Sequence, residues 1–273
     1  MTIKTRNRLN ISLFVFSLVF LAVNVLLFLF SLYNKTFSLQ AYNSLGQTQN
    51  RWVLVQYNPL VVLISIYFQI IYVCVTSFIL YRGFEKTQAS DIPYLFLFLI
   101  ALLANSLRLW TPLFNMASTY SGLMTFCGNS IIFSKLLIPT SLLFSVVMSD
   151  VEQRQDLEKN MFILLLACLF FAQLIPLNSA NICKNFEIDY SFRNVIKIAS
   201  ILILIATVIA LFYNNHQKFY TQKTTAGLVF ICTGTFILLN SINILQLILS
   251  FVCLLTGNLL YLKELHRQYL WND

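Results

Sequence analysis

Eight apolar runs separated by short polar stretches govern what this chain can fold into; they cover 11–33, 60–81, 92–113, 128–148, 161–177, 195–213, 223–239 and 242–262. A helix of about 20 apolar residues, rising about 1.5 Å per residue, crosses the roughly 30 Å hydrocarbon core of a bilayer. Backbone N–H and C=O groups find no water there, so they must bond within the segment, as a helix allows. The sequence therefore predicts an all-α, polytopic transmembrane helix bundle of about eight spans. It is a single domain over 1–273, with 263–273 as a cytoplasmic helical tail. Composition agrees, since 58% of residues are hydrophobic and 10% charged, whereas a soluble domain carries roughly a quarter charged residues.

The span count is weakest at the short fifth run and at the seventh, which reaches a spanning length only by starting at Lys223. A seven-span alternative stays open. Eight is preferred because Asn240-Ser241-Ile242-Asn243 supplies polar turn residues between two runs too long together for one helix. The first run is too long for a signal-peptide core, and no small-x-small cleavage site follows it, so it reads as an uncleaved span. Glycine is scarce, 7 residues against 25 phenylalanines. Helix pairs in backbone contact through small residues should therefore be few.

Orientation follows from Lys and Arg near the span ends. With the N-terminus inside, Lys4, Arg6, Arg8, Arg82, Lys86, Arg154, Lys159, Lys218, Lys223, Lys263 and Arg267 are cytoplasmic, against Lys35, Arg51, Lys184, Arg193 and Lys197 outside. The expected topology is N-in and C-in, in a cell membrane, with a bacterial inner membrane favoured. The formal charge of +8 is scattered between spans and not gathered on one stripe, which argues against nucleic acid as a partner.

All 10 carboxylates and both histidines fall in predicted loops or tails, so the expected membrane interior holds no acid and no imidazole. Proton relays and intramembrane hydrolases need such groups at depth. With no H-E-x-x-H and no G-x-S-x-G, the chain reads as non-enzymatic, without a metal site or cofactor.

Arg108 and Lys135 are the exceptions to the neutral interior. They fall near the outer ends of the third and fourth spans, on the order of 7–10 Å below the boundary, where adjacent antiparallel helices can bring them together. Intramembrane charges usually face a bundle interior and mark a ligand path. The functional expectation is an outward-facing cationic pocket for a small anion or an anionic lipid, with Asn105, one turn from Arg108, and Trp110 as further lining residues. Two competing expectations are that both cations snorkel to the interface beside aromatic-belt residues such as Trp110, or that they pair with Glu187 or Asp189 from the fifth loop. Cys127 and Cys183 both fall on the outer side, which permits a disulfide tying two outer loops. The other four cysteines lie in apolar runs and read as packing residues.

The segment Lys135-Leu-Leu-Ile-Pro139-Thr-Ser-Leu-Leu-Phe144, the charged cytoplasmic turn after it and the helical exit at 262–271 resemble the multi-span membrane sensor modules of bacterial signalling proteins. The resemblance covers layout and implies a sensory, signal-transducing, receptor-like role. Output would then come from a separate signalling partner, because such modules normally continue into a kinase, cyclase or DNA-binding domain. Two other functions fit the residues: a transporter or lipid-handling protein for an anionic substrate, and a structural or assembly subunit of a membrane complex. In every case the bilayer is the first partner.

Overall fold

The computed structural model describes residues 2–34, 53–85, 89–114, 121–148, 157–216 and 221–270. Eight helices, each long and apolar enough to cross a membrane, make up most of it. They are α1 (Ile3–Tyr33), α2 (Pro59–Gly83), α3 (Asp91–Leu113), α4 (Ser121–Val147), α5 (Leu157–Leu174), α6 (Arg193–His216), α7 (Gln222–Leu239) and α8 (Ile244–Leu270). Between α5 and α6 lies an antiparallel hairpin of β1 (Leu177–Ile182) and β2 (Ile188–Tyr190). The polar turn at Asn240–Asn243 separates α7 from α8 as expected, so among the described residues the count is eight. Helix α8 continues to Leu270, and residues 271–273 of the expected tail lie outside the described residues.

Exposure runs opposite to that of a water-soluble bundle. On α1 the buried residues include Arg6, Asn10, Ser17, Asn24 and Ser31, while Phe16, Leu26 and Phe30 are more than half exposed. Asn10, Ser17, Asn24 and Ser31 recur every seven residues, one stripe on the helix facing α2 and α3. An apolar outer face over a polar inner seam suits lipid as the surrounding medium and would aggregate in water. The polar seam is bonded: Trp110 Nε1 donates to Asn24 Oδ1 at 3.0 Å, and Tyr67 donates its hydroxyl to the Asn24 carbonyl at 3.2 Å.

Contacts at the helix ends establish the alternation. Arg6 donates to the Phe84 carbonyl and Asn7 to the Glu85 carbonyl, joining the start of α1 to the end of α2. Asn214 donates to the Val146 carbonyl, Thr221 bonds Glu264, and Phe84 meets the His266 ring. The start of α1 and the ends of α2, α4, α6 and α8 thus share one end of the bundle. At the other end, the Asn58 N–H donates to the Ile242 carbonyl.

One helix pair packs backbone to backbone. A Cβ added at Gly227 would lie 2.7 Å from the Tyr261 backbone nitrogen, and one at Gly257 would lie 2.9 Å from the Gly227 carbonyl oxygen. Gly234 faces Cys253 and Leu254 as closely. Three glycines thus let α7 and α8 approach along their length.

The site end is built around α4, which touches α3, α5, α6 and the hairpin. Pro139 lies inside α4; having no N–H, it leaves the carbonyl four residues back, that of Lys135, without a helical partner. The Ser200 hydroxyl of α6 lies 3.3 Å from that carbonyl and shares its proton between it and the nearer Ile196 carbonyl of its own helix at 2.8 Å. A sequence-encoded gap in one helix is thereby filled by its neighbour, and α6 is held against α4 beside Lys135.

Candidate functional site

The hairpin does not lie in solvent over the bundle; its tip enters it. Cys183 accepts a hydrogen bond from the Phe186 N–H at 3.0 Å and donates its own N–H to the Glu187 carbonyl at 2.8 Å. This is a three-residue loop closed by a left-handed residue, a position that favours glycine. Here Phe186 occupies it, at φ 63°. A bulky residue there is strained by on the order of 1–3 kcal/mol and persists only when its surroundings hold it. Burial supplies the hold: Phe186 is fully enclosed with Val62, Ile66, Leu109 and Leu113.

Glu187 follows directly and is itself fully buried. Three cations converge on it. Lys135 Nζ lies 2.6 Å from Oε2, Arg193 Nη2 lies 3.3 Å from the same oxygen, and Arg108 Nη1 lies 3.8 Å from Oε1. Burial alone pushes the Glu187 carboxyl up, but the charges of Lys135, Arg108 and Arg193 outweigh it and hold the group below its ordinary range. Arg193 also reaches Asp189 at 3.8 Å and donates to the Cys183 sulfur. Lys135 sits 5.5 Å from the centre of the Tyr190 ring, a cation–π contact. Burial raises the Tyr190 hydroxyl, and the Glu187 charge raises it further.

Glu187 lies between spans, as its place in the sequence predicts, but the hairpin carries it into the protein interior. Arg108 does not snorkel, since it is completely buried. It sits on the 3-10 turn Leu107–Leu109 of α3, and its Nη1 donates at 3.1 Å to the Leu239 carbonyl, one of the orphan acceptors at the end of α7. Its Nε and Nη2 have no hydrogen-bond partner among the described residues. Lys135 lies roughly 21 Å along the axis from the start of α4 at Ser121.

Beside the cluster, between α4, α6, α7 and β2, is a cavity of about 290 Å³. Lys135, Arg193 and Lys197 supply its charge, with Tyr190, Asn194, Ser200, Thr235 and Asn240 as polar groups and Ile138, Leu204 and Phe236 as apolar wall. Arg193, Lys197, Ser200 and Leu204 recur at helical spacing and so share one face of α6. Among the described residues, the four cations Arg108, Lys135, Arg193 and Lys197 stand against two carboxylates here, Glu187 and Asp189, so the neighbourhood keeps excess positive charge. That excess is what attracts an anion into a low-dielectric wall.

The other expected residues lie elsewhere. Asn105 is buried and bonds Gln69 Oε1 at 3.3 Å, and its own Oδ1 accepts from Ser134 at 3.3 Å. Its amide joins α2, α3 and α4 and does not line the cavity. Trp110, bonded to Asn24, packs edge-on against Phe114. Cys127 and Cys183, whose placement permits a bridge, are free thiols: Cys127 packs with Met124 and Ile188, while Cys183 faces Arg193 and Asp189.

Arg193, Lys197 and Tyr190 were not among the expected site residues. The i, i+4 spacing of Arg193 and Lys197 at a span start is the signal that could have found them.

No known protein family matches this chain, and no curated protein or solved structure is similar enough to it to count as a relative.

Proposed function

We propose that this multi-pass membrane protein is a ligand-binding module, sensory in role, whose ligand is an anion held in the cavity by Lys135, Arg193 and Lys197. The observation that carries the reading is the convergence of three cations on one buried carboxylate, with a fourth, Lys197, on the cavity wall. Glu187 ties α3, α4, α6 and the hairpin together. An anion in the cavity competes with it for Lys135 and Arg193, so binding and helix arrangement draw on the same charges. That shared dependence is what a switch requires: a ligand that interacts differently with two arrangements. The opposite end of the bundle, where α8 extends to Leu270, is cytoplasmic by the positive-inside bias and is where a separate output partner would dock.

The test is native mass spectrometry of the protein released from its own membrane. Wild type retains an anionic species, and Lys197→Ala retains at least fivefold less while melting at the same temperature. Equal retention by both, or none by either, overturns the reading. Flux of the retained anion across proteoliposomes would instead identify a transporter.

A further inference from the structure

A second cavity adjoins the first. It has a volume of about 430 Å³ and is almost entirely apolar, lying between α6 and α7 and lined by Ile201, Ile205, Ile209, Cys232, Thr233 and Ile237. Leu204 and Phe236 line both cavities, so the two share a wall. The cationic one lies at the α6 start, and the apolar one runs from there toward the middle of the bundle. Ile205 and Ile209 are 50% and 64% exposed, so the groove opens sideways toward lipid. From Ile201 to Ile209 it follows roughly 12 Å of helix axis, beginning one turn below Lys197.

We infer that the anion is the headgroup of an acyl-chain lipid: its phosphate or carboxylate sits among Lys135, Arg193 and Lys197, and one acyl chain lies in the α6–α7 groove. The inference rests on the anion reading above and adds the chain. Charge complementarity at one end and a dry, laterally open wall at the other match an amphiphile in both chemistry and order, since its charged end belongs at the interface and its chain in the hydrocarbon. A zwitterionic lipid gains no net charge attraction from this site. A small inorganic anion leaves the groove unused.

The experiment uses the full-length protein in zwitterionic nanodiscs doped in turn with photoactivatable phosphatidic acid, fatty acid or phosphatidylcholine, each with the reactive group on the acyl chain, and maps the adducts by peptide mass spectrometry. The anionic probes are expected to label 201–209 and 232–237 at least fivefold more than the phosphatidylcholine probe. Which of the two anionic probes labels more strongly tells phosphate from carboxylate. Lys197→Ala should bring the anionic labelling down to the zwitterionic level, and Thr233→Trp, which fills the groove from its exposed side, should lower it at least threefold. In parallel, binding of radiolabelled inorganic phosphate is measured for the same proteins. If labelling ignores headgroup charge while phosphate binding still depends on Lys197, the lipid inference falls and the anion reading stands. If neither responds to Lys197→Ala, both fall.

Discussion

Helix α7 meets its two neighbours in opposite ways. Against α8 it presents Gly227 and Gly234, and the backbones come within reach of a single Cβ. Against α6 it presents Cys232, Thr233 and Phe236, and the space between stays open as two adjacent cavities. The first interface is held by close packing and has no room for anything else. The second is held at its hairpin end by polar ties, since Glu187 and its cations join α6 to α3 and α4 and Arg108 in turn reaches α7 at the Leu239 carbonyl, and it leaves room for a ligand. In lipid no hydrophobic force drives helices together, so an interface needs either close packing or polar ties. This molecule uses one on each side of the same helix, and only the polar one is open to competition.

The largest expected effect falls on the charge-held side. Glu187→Gln leaves the buried Arg108 and Lys135 without a counter-charge, while Arg193 keeps Asp189, and should cost about 3–5 kcal/mol, measured by unfolding in mixed micelles. A cost under about 1 kcal/mol would mean the cluster does not hold that interface.

Next comes the packed side. Gly227→Leu must displace the Tyr261 backbone, and overpacking of this kind costs about 1–3 kcal/mol. Gly122→Ala, where an added Cβ meets nothing within 4 Å, should be neutral or stabilising by up to about 1 kcal/mol through helix propensity. Equal effects at the two glycines would erase the distinction between the interfaces.

Smaller still is the dependence on pH. The folded state holds the Glu187 carboxyl below its ordinary value of 4.5, so its contribution is complete above the unfolded pKa of about 4.3 and is lost as pH falls through the lower folded value. The melting temperature should stay level from about pH 8 to pH 5 and drop below about pH 4.5, with a shallower drop in Glu187→Gln. The smallest effect on stability is Lys197→Ala, within about 0.5 kcal/mol for an exposed side chain, even as it removes anion binding.

Much of this was legible in the sequence. The eight runs, the Asn240–Asn243 turn and the extension of the last helix are local signals of length and polarity, and the structure follows them to within a few residues at most ends. The two intramembrane cations were visible for the same reason, and a pairing with Glu187 was among the readings that the residues allowed. What was not legible is that the hairpin folds inward. Glu187 sits among Lys184, Asn185 and Asp189, a neighbourhood that reads as a solvated loop, and its charge partners include residues of two distant helices, Arg108 of α3 and Lys135 of α4. The alternation Phe186, Ile188, Tyr190 was the available sign of a strand with an apolar face. Asn105 and Trp110 were misplaced because helical spacing narrows the face of a side chain and leaves the neighbour open: both turn toward amides, on Gln69 and Asn24, that lie far away in the chain.

The account rests on Glu187 being held inside the bundle by Lys135. A double-mutant cycle with Glu187→Gln and Lys135→Met, followed by reversible unfolding in mixed micelles, tests this most directly. A coupling energy of about 1–3 kcal/mol is predicted for groups in direct contact; additivity within about 0.5 kcal/mol would contradict the contact and, with it, the charge-held interface.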